Sequence, residues 1–265
     1  MDRGISRRAL LGAVMSAPLL AACSGTFEDA PADSPGVHVS DGELTSRHWP
    51  GQRVSWAVAR PTARQQAPVV VALHGRGGHA TNAFTGLHLD RHVATTGLAV
   101  AAIDGGDTYW HARRSGVDTG AMVVDDFLPL LASMGLGTGR IGLLGWSMGG
   151  YGALWLATGL GRARVAGVAA SSAALWLSPG DSAPGAFDDR DDFVRHDVFR
   201  LRSRLRGIPV RLDCGLDDPF LHADRAFAAG LPGTTTHFDP GGHTDAFWSA
   251  HGGAQMTWLA RLLAT

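Results

Sequence analysis

Between Arg140 and Leu160 the chain reads RIGLLGWSMGGYGALWLATGL, and no other stretch constrains the fold as strongly. Residues 141–144 are the short apolar run of a buried strand. Gly145-Trp146-Ser147-Met148-Gly149 follows, and a helix-like segment begins at once. So sharp a turn leaves no space for a side chain two residues either side of its apex, which calls for glycine at 145 and 149 and holds Ser147 in a strained backbone conformation. The serine hydroxyl then stands exposed above a sheet at a helix N-terminus, where the dipole favours developing negative charge. A glycine-rich strand-to-helix turn with an incidental serine would also read G-x-S-x-G. Here strand and helix flank the motif as the nucleophilic reading requires.

The rest of the chain alternates in the same way. Residues 54–59 alternate in polarity, 68–73 form a continuous β-branched run, and 98–103 form another buried run. Helix-like segments span 82–95 and 121–134. Beyond the elbow helix, strands are expected at 164–170, 208–214 and 235–238, with a closing helix over 248–263. Such alternation predicts an α/β fold, a mostly parallel doubly wound sheet with helices on both faces. Residues 171–206 are too many for a plain crossover. With Pro179, Pro184 and a charged segment, they predict a small insertion of one or two helices before the acid-bearing strand.

The N-terminus reads as an address. Arg3, Arg7 and Arg8 precede an apolar stretch, residues 9–19, too short to span a membrane, and Leu20-Ala21-Ala22-Cys23 follows. Ser6 to Leu11 resembles a twin-arginine export signal, and residues 20–23 resemble a bacterial lipobox. This predicts a signal peptide over 1–22, cleavage before Cys23, and a lipid on its sulfur. The mature protein would be exported and held on the outer face of the cell membrane, or secreted. Residues 23–45, rich in Ser, Pro, Asp and Gly, are expected to be a flexible tether, leaving 46–265 as the folded domain. The only other cysteine, Cys214, then has no intramolecular partner. A formal charge of −1 gives no basic footprint for nucleic acid.

A serine hydroxyl is a poor nucleophile until a base takes its proton, so the elbow calls for an acid and then a histidine later in the chain. Both occur in that order, each just past a strand: Cys214-Gly215-Leu216-Asp217-Asp218-Pro219-Phe220, then Pro240-Gly241-Gly242-His243. With 12 histidines in the chain, a late histidine alone would mean little; the joint order of elbow, acid loop and His243 carries the inference. His74-Gly75-Arg76-Gly77-Gly78 follows an early strand, where this architecture supplies one oxyanion N–H. That donor is assigned to Arg76, and the second to Met148, the residue after the nucleophile. A phosphate loop is the poorer reading, because no G-x-x-x-x-G-K-[ST] is present.

Together HGRGG, GWSMGG, CGLDDPF and PGGHTDAFW resemble the α/β-hydrolase esterases of the esterase D and bacterial mycolyltransferase type, from about Arg47 to the C-terminus. The resemblance implies an α/β-hydrolase fold and serine ester chemistry without metal or cofactor. It implies a small-molecule or cell-envelope ester as substrate, with Ser147, Asp218 and His243 in the triad positions. Cell-envelope acyltransfer through the same acyl-enzyme is the nearest alternative, and a non-catalytic binding protein on this fold the alternative of another class. Tyr109, Trp110, Trp146, Trp176 and Trp248 are candidates for an aromatic wall of the substrate site, although such residues more often serve as core. His88 and His92, four apart on an expected helix, read as a surface face rather than a metal pair.

Overall fold

A computed structural model describes residues 32–264. The expected signal peptide and Cys23 lie outside the described residues. Eight strands form one sheet: β1 Val37–Ser46, β2 Trp49–Pro61, β3 Pro68–Leu73, β4 Ala99–Ile103, β5 Gly137–Trp146, β6 Val165–Ser171, β7 Val210–Gly215 and β8 Thr235–Asp239. Their order is β1-β2-β4-β3-β5-β6-β7-β8. The β1–β2 and β2–β4 pairs are antiparallel and every other pair is parallel.

The apolar runs explain the layering. In β3, Val69, Val71 and Leu73 join the core on one face, and Val70 and Ala72 join the core on the other. A strand buried on both sides needs no polar alternation, so the sequence shows an unbroken run. One face is covered by α3 Thr119–Met122, α4 Leu128–Ser133 and α5 Met148–Leu160; the other by α1 Asn82–Thr85, α2 Val93–Thr96 and α8 Asp245–Leu263. A π-helical turn, Val123–Phe127, joins α3 to α4. Gln255 of α8 donates to Ser171 Oγ and to Asp213 Oδ2, each at 2.7 Å, which fixes that helix across β6 and β7.

Two expectations are corrected. Residues 37–45, expected as tether, belong to β1, which pairs with β2 from Val37↔Pro61 to Thr45↔Arg53. β1 is an edge strand whose residues between Val37 and Ser46 are exposed or half-buried, so its backbone pairing needs little of the apolar patterning that marks a core strand. The single helix expected over 82–95 is broken into α1, a 3₁₀ turn Leu89–His92 and α2. His88 adopts a left-handed φ of 53° and donates through Nδ1 to Phe84 O at 3.0 Å. His88 and His92 therefore do not share one helix face.

The 171–206 insertion carries a 3₁₀ turn Pro179–Asp181, α6 Arg190–His196 and a 3₁₀ turn Arg202–Leu205. It is fastened to the loop after β4 through His111, which is fully buried. The His111 ring stacks on His196 at 4.2 Å, and its two nitrogens meet Ala112 O at 3.0 Å and Ala186 O at 3.1 Å. Burial first, and then the neighbouring His196, push the His111 imidazole down to about 4, against the pull of the two carbonyls and Asp192. A histidine held neutral contributes stability that is complete above its ordinary 6.5 and lost as pH falls toward 4, on the order of 3 kcal/mol. The urea midpoint is expected to fall over that window, and His111→Gln is expected to flatten the slope. An unchanged slope in the variant assigns the pH dependence to other groups.

Candidate active site

At the end of β5 the chain turns through Ser147, with φ 54° and ψ −120°, into α5. A Cβ on Gly145 would stand 2.1 Å from Gly149 O, and one on Gly149 would stand 1.9 Å from Leu73 O, so neither position admits a side chain. The strained serine is strapped on both sides. Its N–H donates to Ser171 O at 2.9 Å, and its carbonyl accepts from Ala174 N at 2.9 Å and Tyr151 N at 3.2 Å. Strain of this kind persists only where surrounding bonds over-determine it.

The loop after β7 carries Asp218 and the loop after β8 carries His243. The two loops are stitched through their backbones, with Leu216 N donating to Asp239 O and Asp217 N to Gly241 O, both at 2.9 Å. They cross so closely that a Cβ on Gly215 would lie 2.3 Å from Gly241 O. Across this crossing His243 Nδ1 meets Asp218 Oδ2 at 2.9 Å, and on its other side His243 Nε2 meets Ser147 Oγ at 2.9 Å. Because Asp218 can only accept when ionised, Nδ1 carries the proton and Nε2 is left to accept from the serine hydroxyl.

Asp218 is buried and Asp217 is exposed. Burial pushes the Asp218 carboxyl up, but the hydrogen bonds from His243 and the Phe220 N–H outweigh it and leave the group below the ordinary carboxylate range. Asp217 does not cap the helix that follows. α7, Leu221–Ala229, has Phe220 at its N-cap with no side-chain cap, and it is Asp218 Oδ1 that takes the Phe220 N–H at 2.9 Å.

The glycine loop after β3 is organised by His74, which opens the HGRGG motif and for which the motif alone predicts no role. His74, buried, receives the Gly105 N–H on Nε2 at 2.8 Å and therefore donates from Nδ1 to Gly75 O at 2.7 Å. Gly75 O also accepts from Gly78 N, while Gly77 N donates to Asp107 Oδ1 at 2.7 Å. The Arg76 and Met148 backbone N–H groups make no such bond among the described residues. Met148 opens α5, where a free N–H is the rule.

A cleft of about 490 Å³ opens over Ser147 and His243, bounded by the 75–78 loop, Tyr109, Trp146, Phe220, Asp245 and Trp248. Three of the five expected aromatic residues line it. Trp110 does not: consecutive left-handed residues, Tyr109 and Trp110, both at φ 59°, turn the tyrosine to the cleft and sink the indole against Gly105, Gly152 and the His74 ring. Trp176 lies in an adjoining hollow, 5.6 Å from Tyr109. Trp248 packs edge-on to His243 at 4.9 Å and donates its Nε1–H to Ser172 Oγ at 2.9 Å. Phe220, 5.3 Å from the His243 ring on its other flank, was not expected. Its only signal was its place beside the acid, after Pro219.

Among the described residues one group brings three metal-capable side chains together: His111, Asp192 and His196. A neutral His111 donates to one of the two carbonyls that its nitrogens face, and His196 donates from Nδ1 to Asp192 O, so the cluster serves to hold the insertion. Cys214 is a free, buried thiol, and burial raises its pKa well above the ordinary value.

The family described as Putative esterase matches residues 48–251. No curated protein sequence matches the chain. Among solved structures, an S-formylglutathione hydrolase from Agrobacterium tumefaciens aligns at TM-score 0.75 and 21% identity, over 87% of this chain and 97% of that one. A ferulic acid esterase aligns at TM-score 0.73 and 19% identity, covering 85% of this chain and 98% of its own. Mycobacterium tuberculosis MPT51 aligns at TM-score 0.70 and 18% identity, covering 86% and 99%. At these identities the likenesses establish the fold, which is that of the α/β-hydrolases.

Proposed function

The chain belongs to the Esterase family and is a carboxylic ester hydrolase, and from that premise we propose that it works through an acyl-enzyme on Ser147. The observation that carries the proposal is the continuous pair of 2.9 Å contacts, Ser147 Oγ to His243 Nε2 and His243 Nδ1 to Asp218 Oδ2, at a strained elbow. His243 Nε2 takes the hydroxyl proton as Ser147 Oγ bonds to the ester carbonyl carbon. Backbone N–H groups of Arg76 and Met148 receive the oxyanion, and Asp218 stabilises the imidazolium. Collapse breaks the bond to the alcohol, which leaves with the proton from Nε2. Water, deprotonated by the same nitrogen, then attacks the acyl carbon and restores the serine. Activity on p-nitrophenyl esters, measured beside a Ser147→Ala control, tests the reading.

The lipid anchor belongs to the same proposal. Among the described residues no helix is long and apolar enough to cross a membrane. The support is residues 20–23, Leu-Ala-Ala-Cys, after an apolar stretch with arginines before it. Two acyl chains of a diacylglyceryl group suffice for stable attachment where one does not. Cys23→Ser is therefore expected to move the protein from the membrane fraction to the soluble one. Retention in the membrane fraction would sink the assignment.

A further inference from the structure

Beside the catalytic cleft lies a second hollow of about 390 Å³, walled on one side by Leu175, Trp176 and Leu177 of the insertion and on the other by Pro219, Phe220 and Ala223. The two spaces adjoin, since Phe220 and Ala183 border both. The Phe220 ring bridges them, 5.3 Å from His243 and 5.7 Å from Trp176. We infer that this hollow receives an apolar arm of the ester, a medium-length alkyl chain or an aryl ring, while the scissile carbonyl lies at Ser147.

Three observations bear on this. The walls are aliphatic and aromatic, and of the two polar residues at the border Asp181 is already engaged by Ser178 Oγ at 2.7 Å. Leu177 is 51% exposed, one of three large apolar residues so placed among the described residues, and it contributes to this wall. The cleft over Ser147 is mixed, its aromatic rings set beside Asn82, Asp245 and the Arg76 side chain, whose Nε lies 3.7 Å from Asp107, so the hollow is the more apolar of the two spaces. The volume lies at the small end of the range of roughly 300–1,000 Å³ usual for small-ligand sites, which suits a short chain or single ring rather than a long lipid. A formyl or acetyl group at Ser147 would not reach it.

The inference rests on Ser147 being the nucleophile, and its test separates the two. The p-nitrophenyl acetate to decanoate series varies the acyl arm; an ethyl to octyl acetate series varies the alcohol arm. Wild-type kcat/KM is expected to rise with chain length in one series, which identifies the arm. Ala223→Trp, which fills the hollow, and Leu177→Asp, which charges an exposed part of its wall without disturbing the core, are each expected to cut the preference for the longest over the shortest member of that series by roughly tenfold or more, with ethyl acetate turnover within about twofold. Melting curves of both variants confirm that they fold. If Ser147→Ala is inactive and neither variant alters chain-length preference in either series, the hollow is not the arm's site. If Ser147→Ala retains activity, the reading beneath it fails first.

Discussion

Replacing Ser147 by alanine is expected to lower kcat toward p-nitrophenyl esters by roughly 10⁴ to 10⁶, with KM little changed. The side chain points from a turn whose backbone is fixed by Ser171, Ala174 and Tyr151, so truncation at Cβ removes the hydroxyl without loosening the elbow. What remains is the small acceleration that the oxyanion donors and substrate binding provide. A variant that keeps more than a few per cent of wild-type kcat would dismiss Ser147 as the nucleophile.

Asp218→Asn is expected to lower kcat by roughly 10⁴, and Asp217→Asn to leave it within about twofold. The amide at 218 can still accept the Phe220 N–H on its oxygen. Its NH₂ then meets His243 Nδ1, which must become the acceptor. The ring proton moves to Nε2, where it faces Ser147 Oγ and cannot receive the hydroxyl proton. Asp217 is exposed and caps nothing, so its replacement is expected to shift stability by no more than about 0.5 kcal/mol. Measuring kcat and Tm for both variants side by side decides the assignment. A large rate loss confined to Asp217→Asn would overturn it, and equal large losses would show that the loop rearranges.

Much of this arrangement was legible because steric necessity leaves marks in sequence. Gly145 and Gly149 could be nothing else once the strand meets the helix at Ser147. The apolar runs of β3 to β6 could be read because strands covered on both faces carry no polar residues to obscure them. What escaped was written in longer-range geometry. β1 is held mainly by backbone pairing at a sheet edge, with only Val37, Val39 and Leu44 reaching the core, too few to advertise it. Trp110 and Tyr109 are adjacent and chemically alike, and two left-handed residues in succession decide which one reaches the cleft. The tautomer of His74 depends on Gly105, thirty-one residues away. The broken helix over 82–95 was partly signalled, by Gly86 and Gly97 at the ends of its pieces.

The backbone stitching of the β7 and β8 loops makes the acid and the base a single mechanical part, the acid held from the buried strand β7 and the base from the edge strand β8. β8 pairs on one side only, and its residues are exposed or half-buried. The nucleophile, by contrast, hangs from β5 at the centre of the sheet, strapped to β6. Because β7 is buried throughout and α8, which follows His243, packs Phe247, Trp248, Met256 and Leu259 into the core, shifting the acid–base unit against Ser147 uncovers apolar surface on both faces of the sheet. Turnover and secondary structure are therefore expected to be lost together on heating.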